Sequence, residues 1–293
     1  RYDVVCKSPL TGAIAGSNSG GSFGPELKYA GYDMVIFEGK SAKPVYLWIK
    51  DDQVELRDAS TVWGKEVPET TDLLRAETDE DAMVACIGPA GEKLSLIASI
   101  MNEMGRAAGR SGVGAVMGSK LLKAIVVRGT QKPPIGKPED LDALRKKYLP
   151  AFKENTEAQM LNKYGTTGSI NALVKIGRSP IRNWAGTSEE YPGPESFEGD
   201  HMLTYQTKKY GCWRCNVACG GILHWEWDGK EYDGHKPEYE TMALDGSNLE
   251  MTDIRDVMML NEICNRAGLD TISAGGVLAF AMECYEKNIL TAD

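Results

Sequence analysis

The stretch "GTQKPPIGKPED", residues 129–140, divides the chain into two kinds of sequence. Pro133, Pro134 and Pro138 remove backbone donors and Gly136 loosens the chain, so no regular element runs through it. On its N-terminal side lie short runs of β-branched and aromatic residues: "DMVIFEG", "PVYLWIK", "QVELRD", "LSLIASI" and "KAIVVRG". Asp51-Asp52 separates two of them and reads as a hairpin turn. On the C-terminal side the apolar spacing becomes helical. Leu141, Leu144 and Tyr148 recur after Pro138, which suits a first helical turn. In "MTDIRDVMMLNEICNRAG", Thr252 is the expected N-cap, Ile254, Val257 and Met258 share a face, and Gly268 ends the helix. "SAGGVLAFAMECYEKNIL" reads as a buried helix capped by Ser273. The expected fold class is α+β, with a β-rich domain over residues 1–132 and a mainly α-helical domain over 133–293.

The chain has 293 residues, room for two cores, and its 42% hydrophobic and 26% charged content is that of a soluble globular protein. With 33 basic and 42 acidic residues the net charge is -9, which argues against a general nucleic-acid binder. No apolar run approaches the length of a membrane span. The start at Arg1, inside the strand-like "RYDVV" and without a secretory leader, leads us to expect part of a longer, cytoplasmic polypeptide.

Seven cysteines are present: Cys6, Cys86, Cys212, Cys215, Cys219, Cys264 and Cys284. An odd count with one tight cluster favours a reducing compartment and metal ligation over disulfides. In "YGCWRCNVACGG", residues 210–221, three stand as Cys-x2-Cys-x3-Cys. That spacing lets one loop wrap an iron–sulfur cubane. It equally suits zinc held by three cysteines and a histidine, with His224 nearby. A radical S-adenosylmethionine site would reverse the order of the two spacings. Cys264 and Cys284 are candidate fourth ligands, although both sit in helical patterns where a buried structural cysteine is the simpler reading.

Two glycine-rich stretches, "GSNSGGSFG" (16–24) and "GRAAGRSGVGAVMGSK" (105–120), can form concave nests of N–H groups that bind anions. Arg106 and Arg110 add planar forks matched to phosphate oxygens. Neither stretch is a nucleotide P-loop, and a dinucleotide fold is poorly supported. Tight turns packed between strands explain either loop alone; the pair with two arginines points to a polyphosphate-bearing cofactor. In "KPEYETMALDGSNL" (236–249), Glu238 and Glu240 would face one side of an extended segment, near Asp245. Such a run is ordinarily solvated surface, but a carboxylate beside a carbonyl can also move a proton. Asp270 in "NRAGLDTISAGG" can cap a helix or accept hydrogen bonds from a ligand's amines.

Together the motifs "NSGGSFGPELKYAGYD", "GRAAGRSGVGAVMGSKLLKAI", "CWRCNVACG", "PEYET" and "GLDTISAGG" resemble, in order and spacing, the aldehyde:ferredoxin oxidoreductase family of tungsten enzymes. The resemblance runs through nearly all of the chain. It implies a tungsten bis-pterin cofactor bound by the β-sheet domain, with Mg2+ joining the pterin phosphates and a [4Fe-4S] cluster beside it. Cys212, Cys215 and Cys219 match three cluster ligands, the fourth being expected beyond Asp293. Arg1 matches an arginine between cluster and pterin. Asn18 and Ala107 match positions whose backbone carbonyls hold the magnesium, with Ser19 and Gly20 in the same first loop. Arg106 and Gly109 match the second pterin-facing loop, and Leu269 and Asp270 match the first of two pterin-binding stretches. Glu240 matches the carboxylate that transfers a proton beside the tungsten.

The implied reaction is anaerobic oxidation of an aldehyde to a carboxylic acid, with electrons passing through the cluster to ferredoxin. A tungsten subunit of an aromatic acyl-CoA reductase is the alternative within the family. A metal-binding or electron-transfer module without its own catalysis is the alternative outside it. The resemblance also implies a homodimer or larger complex. Two departures bear on this: Asn265 stands where the family pattern often has aspartate, and Met259 where some members give a glutamate to a metal at the dimer interface. A thioether is a poor ligand for such a hard site.

Overall fold

A computed structural model of the chain describes residues 1–291. They fall into two compact units: Arg1–Gln131 with Leu260–Leu278, and Lys132–Met259 with the residues from Ala279 onward. The first family of strands is β1 (Tyr2–Lys7), β2 (Ile14–Ser19), β3 (Val45–Lys50), β4 (Gln53–Asp58), β5 (Met83–Cys86), β6 (Ile100–Asn102), β7 (Arg106–Ala108) and β8 (Leu122–Arg128). β1 and β2 form an antiparallel hairpin, and the others make one six-stranded sheet in the order β4-β3-β8-β5-β6-β7. Only β3 and β8 run parallel. Asp51 and Asp52 turn the β3–β4 hairpin as the sequence leads one to expect.

The period-2 alternation of β3 sends its side chains into two cores. Leu47 and Ile49 join Ile87, Ile100 and Val127 on one face, where Phe23, Val113 and Met117 of two helices pack. Tyr46 and Trp48 join Val84, Met101 and Val126 on the other, against Val67 and Leu74 of the helix Val67–Glu77. With both faces covered, β8 reads as a nearly unbroken apolar run, "LKAIVVR". Each fully buried Val, Leu or Ile contributes about 1.5–3 kcal/mol relative to exposure, so the central strands anchor this unit.

Two of the expected strands are not laddered. "DMVIFEG" keeps the alternation of a strand, with Val35 and Phe37 packed on the core and Met34 and Ile36 each 70% exposed, but it pairs with nothing among the described residues. "LSLIASI" is mostly turns, joining a ladder only at its end.

The second unit is helical with a three-stranded antiparallel sheet that the sequence reading does not include: β9 (Gln206–Tyr210), β10 (Gly220–Trp227) and β11 (Lys230–His235). Leu223 and Trp225 of β10 pack with Ile170, Phe197, Met242, Ile254 and Val257 in its core. Pro138 does open a helix, Pro138–Glu154, but none of its residues is buried and Leu141, Leu144 and Tyr148 stand exposed.

The last two helices, Ile254–Ala267 and Thr271–Glu286, each divide between the units. At the first of them the capping side chain stands one residue later than expected. Asp253, not Thr252, accepts from the Arg255 N–H at 2.9 Å. Of the two caps that the sequence offers for the last helix, Asp270 serves and Ser273 does not, because the helix begins at Thr271 and Ser273 already lies in its first turn, donating to the Asp270 carboxylate. The last helix is also only partly buried, with Val277, Phe280, Met282 and Tyr285 exposed. Among the described residues, no helix is long and apolar enough to cross a membrane.

Candidate cofactor-binding site

Arg1, Asn18, Ser19, Gly20, Arg106, Ala107, Gly109, Leu269 and Asp270 all belong to the first unit. The β1–β2 hairpin places Asp3 opposite Asn18 and Tyr2 opposite Ser19, so the first glycine loop leaves the end of β2 beside Arg1. Arg1 Nη1 donates to Asn18 Oδ1 at 3.3 Å. The second glycine-rich stretch begins in the hairpin between β6 and β7, with Asn102 opposite Arg106 and Met101 opposite Ala107, and continues through Arg110–Gly112 into the helix Val113–Ser119. Glu103 and Met104 take left-handed backbone conformations at the tip of the hairpin. Arg106 keeps Nε and Nη2 out of solvent beside this turn.

A side-chain network binds the two loops. Asn102, 1% exposed, accepts from Ser19 Oγ at 2.7 Å and from Tyr2 Oη at 3.1 Å. Its Nδ2 donates to the Gly20 carbonyl at 3.1 Å and to Glu103 Oε2 at 3.2 Å. Glu103 Oε2 also accepts from the Ser22 N–H at 2.7 Å. Gly21, at φ +83°, lies under that carboxylate: an added Cβ would come 1.7 Å from Glu103 Oε2, so any other residue would be strained and would displace Glu103 from the network. Burial pushes the Tyr2 phenol well above its usual pKa, which keeps it a neutral donor. Asn102 and Glu103 are functional candidates that the sequence reading missed. Their only signal is "NEMG", a turn whose partners are unreadable without the fold.

The third segment comes from the end of the helix Ile254–Ala267. Leu269 bridges Ala98, the Ser99 N–H donates to the Gly268 carbonyl at 2.9 Å, and the Asp270 N–H donates to the Ile97 carbonyl at 3.0 Å. These bonds hold Asp270, 5% exposed, with its carboxylate accepting from the Ile272 and Ser273 N–H groups. Arg110 Nε lies 3.5 Å from Asp270 Oδ2, and Gly109 faces the same carboxylate. The first loop, the second loop and the Leu269-Asp270 turn are therefore neighbours in one folded unit. Their chemistry suits an anionic, phosphate-bearing group: half-buried glycine turns, a shielded guanidinium and a carboxylate already engaged by donors.

Cys212, Cys215, Cys219 and Glu240 belong to the second unit. The pairing of Tyr210 with Gly220 pins both ends of the cysteine loop. Inside it the Cys215 N–H donates to the Cys212 carbonyl at 3.0 Å, and Arg214 and Ala218 take left-handed conformations. Cys215 is exposed, while Cys212 and Cys219 are half-buried. The three side chains do not converge on a point: among the described residues no group of three or more His, Cys, Asp or Glu is placed to hold a metal ion. The donor set itself, three soft thiols in one anchored and accessible loop, fits an iron–sulfur cluster.

His224, the histidine that zinc would need, has Nδ1 3.1 Å from Asp233 and Nε2 3.1 Å from Glu231 across the β10–β11 hairpin. Cys264 and Cys284 are buried in helices. Glu240 is exposed on the short helical turn Tyr239–Thr241, which widens into a π-turn over Met242–Gly246. Glu238 instead turns inward to the Thr166 hydroxyl, so the two carboxylates are not equivalent.

A model of the aldehyde ferredoxin oxidoreductase N-terminal domain matches residues 1–129, and one of that family's domains 2 and 3 matches residues 143–293. The chain belongs to the aldehyde ferredoxin oxidoreductase family. Within the family it is 46% identical over 290 residues to the tungsten-containing aldehyde ferredoxin oxidoreductase of Pyrococcus furiosus, covering 98% of this chain and 47% of that protein. It is 34% identical to the aliphatic sulfonate oxidoreductase, WOR-like subunit, of the same organism, covering 100% of this chain and 49% of the relative. Among solved structures, the active site complex BamBC of benzoyl coenzyme A reductase with 1,5 dienoyl-CoA superposes with a TM-score of 0.84 at 32% identity, over 99% of this chain and 45% of that one. The chain thus spans about half the length of the relatives it matches.

Proposed function

We propose that the whole protein oxidises aldehydes to carboxylic acids and passes the electrons to ferredoxin, in the cytoplasm of an anaerobe. The observation that carries this reading is the 46% identity, over nearly the entire chain, to a tungsten-containing aldehyde ferredoxin oxidoreductase. When bound, a tungsten bis-pterin group supplies two-electron redox chemistry and a [4Fe-4S] cluster one-electron transfer.

The chain's own residues have narrower tasks. Asn18 and Ala107 would offer backbone carbonyls to a Mg2+ ion bound with the pterin, with Ser19 and Gly20 shaping the first loop. Arg106 and Gly109 would face the phosphates from the second loop, and Arg1, beside Asn18, would add positive charge to the same anionic group. Leu269 and Asp270 would line the pterin, the carboxylate accepting hydrogen bonds from its amines. Cys212, Cys215 and Cys219 provide three thiolates. Glu240, exposed and free of the inward contact that occupies Glu238, holds the proton exchanged with the substrate oxygen.

The test is Glu240→Gln in the whole protein. Aldehyde oxidation is expected to fall at least about 100-fold with tungsten content unchanged, and full activity would remove the role. The likeness to the benzoyl coenzyme A reductase complex favours a second reading, reduction of an aromatic acyl-CoA within a larger assembly. Oxidation of the enzyme's metal centre by an acyl-CoA, with no response to aldehydes, would establish that reading instead.

A further inference from the structure

We propose that Asn102 is a positioning residue for the cofactor, a single buried amide that sets the separation of the two loops that grip it. The inference rests on the cofactor reading above and extends it to a residue outside the matched motif positions. Asn102 ends β6, directly opposite Arg106 across the hairpin. A side-chain amide has two acceptor sites on oxygen and two N–H donors on nitrogen. Here all four are used: Tyr2 and Ser19 donate to the oxygen, and Gly20 and Glu103 accept from the nitrogen.

No other side chain of that size meets this pattern. Aspartate keeps the acceptors but loses both donors and sets a second anion against Glu103. Leucine keeps the shape and loses everything. The partners come from β1, from the first glycine loop and from the tip of the second, so one amide ties three segments. Glu103 extends the tie by accepting from Ser22. Asn18 directly precedes Ser19, and Ala107 directly follows Arg106, the residue paired with Asn102. The two carbonyls proposed to share one magnesium are therefore each one residue from a clamped position. A metal with a rigid octahedral preference demands such fixed spacing.

The experiment uses the whole protein purified anaerobically as wild type, Asn102→Asp and Ser19→Ala. Pterin is read by fluorescence after oxidation, tungsten and iron by mass spectrometry, and the tungsten environment by its EPR line shape. Ser19→Ala removes one arm and leaves a well-packed fold. It is expected to retain pterin about fivefold less well under dialysis against EDTA. Asn102→Asp is expected to lose more than that and to change the EPR line shape. Iron stays at the wild-type level in both, because the cysteine ligands lie in the other unit.

Wild-type pterin, tungsten and line shape in both variants would overturn the proposal. So would loss of iron together with tungsten in Asn102→Asp while Ser19→Ala behaves as wild type, since that pattern marks a merely structural residue. A wild-type protein that carries iron but no pterin would instead refute the cofactor reading, and this proposal with it.

Discussion

Arg110 reaches Asp270 across 3.5 Å, joining the second glycine loop to the turn that starts the last helix. Asp270 thus has two tasks, capping and charge, and two substitutions separate them. The Ile272 and Ser273 N–H groups use different carboxylate oxygens, so Asp270→Asn keeps an acceptor for only one of them and should cost about 0.5–1 kcal/mol. Asp270→Ala removes the cap and should cost about 1–2 kcal/mol in urea unfolding. If the carboxylate also serves the pterin, both variants lose cofactor on gel filtration, and Asp270→Asn does so at the smaller cost in stability. Full retention by Asp270→Asn would leave the residue as a cap only.

Lys123 and Glu92 form an ion pair inside the first unit, at 2.5 Å, with the lysine side chain 0% exposed and the glutamate 7%. Lys123 also donates to the Lys65 carbonyl, and Glu92 accepts from the Gly64 N–H. Removing one partner leaves a buried charge alone, so Lys123→Met is expected to cost about 3–5 kcal/mol by denaturant unfolding. The double variant Lys123→Met/Glu92→Leu removes the stranded charge and should recover part of that loss. Recovery stays incomplete because Gly64 N–H and Lys65 C=O lose their partners. A double variant no better than the single one would refute this account.

The β-rich character of the first unit and its β3–β4 hairpin were legible because β-branched alternation and a two-residue turn are local signals, as in "PVYLWIK" and "QVELRD". The three-stranded sheet of the second unit was not. "GILHWEW" lies beside the cysteine motif, and its Leu223 and Trp225 become core residues only through contact with Phe197 and Ile254, far off in sequence. The glycines of "GRSGVGAVMGSK" were misleading in part. Gly114 and Gly118 lie in the helix Val113–Ser119 and serve close packing rather than an anion-binding turn. Asn102 was invisible for the opposite reason: an asparagine in a turn carries no sign of which four groups it will bind.

Asp51 fastens the β3–β4 turn to the chain just after β8, its carboxylate accepting from Thr130 N–H at 2.8 Å and Thr130 Oγ1 at 2.7 Å. The Thr130 hydroxyl, then its N–H, lowers the Asp51 pKa below the ordinary 3.8. A lowered folded pKa means that the unfolded chain binds more protons in this range, so stability rises with pH. The contribution is fully present above the unfolded value and disappears as pH falls through the folded one. Asp51→Asn should therefore lower the urea midpoint slightly at pH 7, and the gap to wild type should close under strongly acid conditions. The effect is small because the carboxylate is solvent-accessible. A gap that persists unchanged at low pH would show that the charge is not its source.

Gly118 meets the backbone of another helix: an added Cβ would stand 1.9 Å from the Gly91 carbonyl oxygen. The obstacle is main chain on both sides, the helix Val113–Ser119 against Pro89–Glu92, so no rotamer change relieves it. Gly118→Ala must push the helices apart, and overpacking of this kind costs about 1–3 kcal/mol or more. Opposing this is the better helix propensity of alanine, worth about 1 kcal/mol in a helix interior. The clash is the larger effect, so net destabilisation is expected in urea unfolding. Gly136→Ala is the control, since nothing lies within 4 Å of its Cβ position and the change should be neutral or slightly stabilising. Should Gly118→Ala match that control, the close helix crossing would not be what requires glycine at position 118.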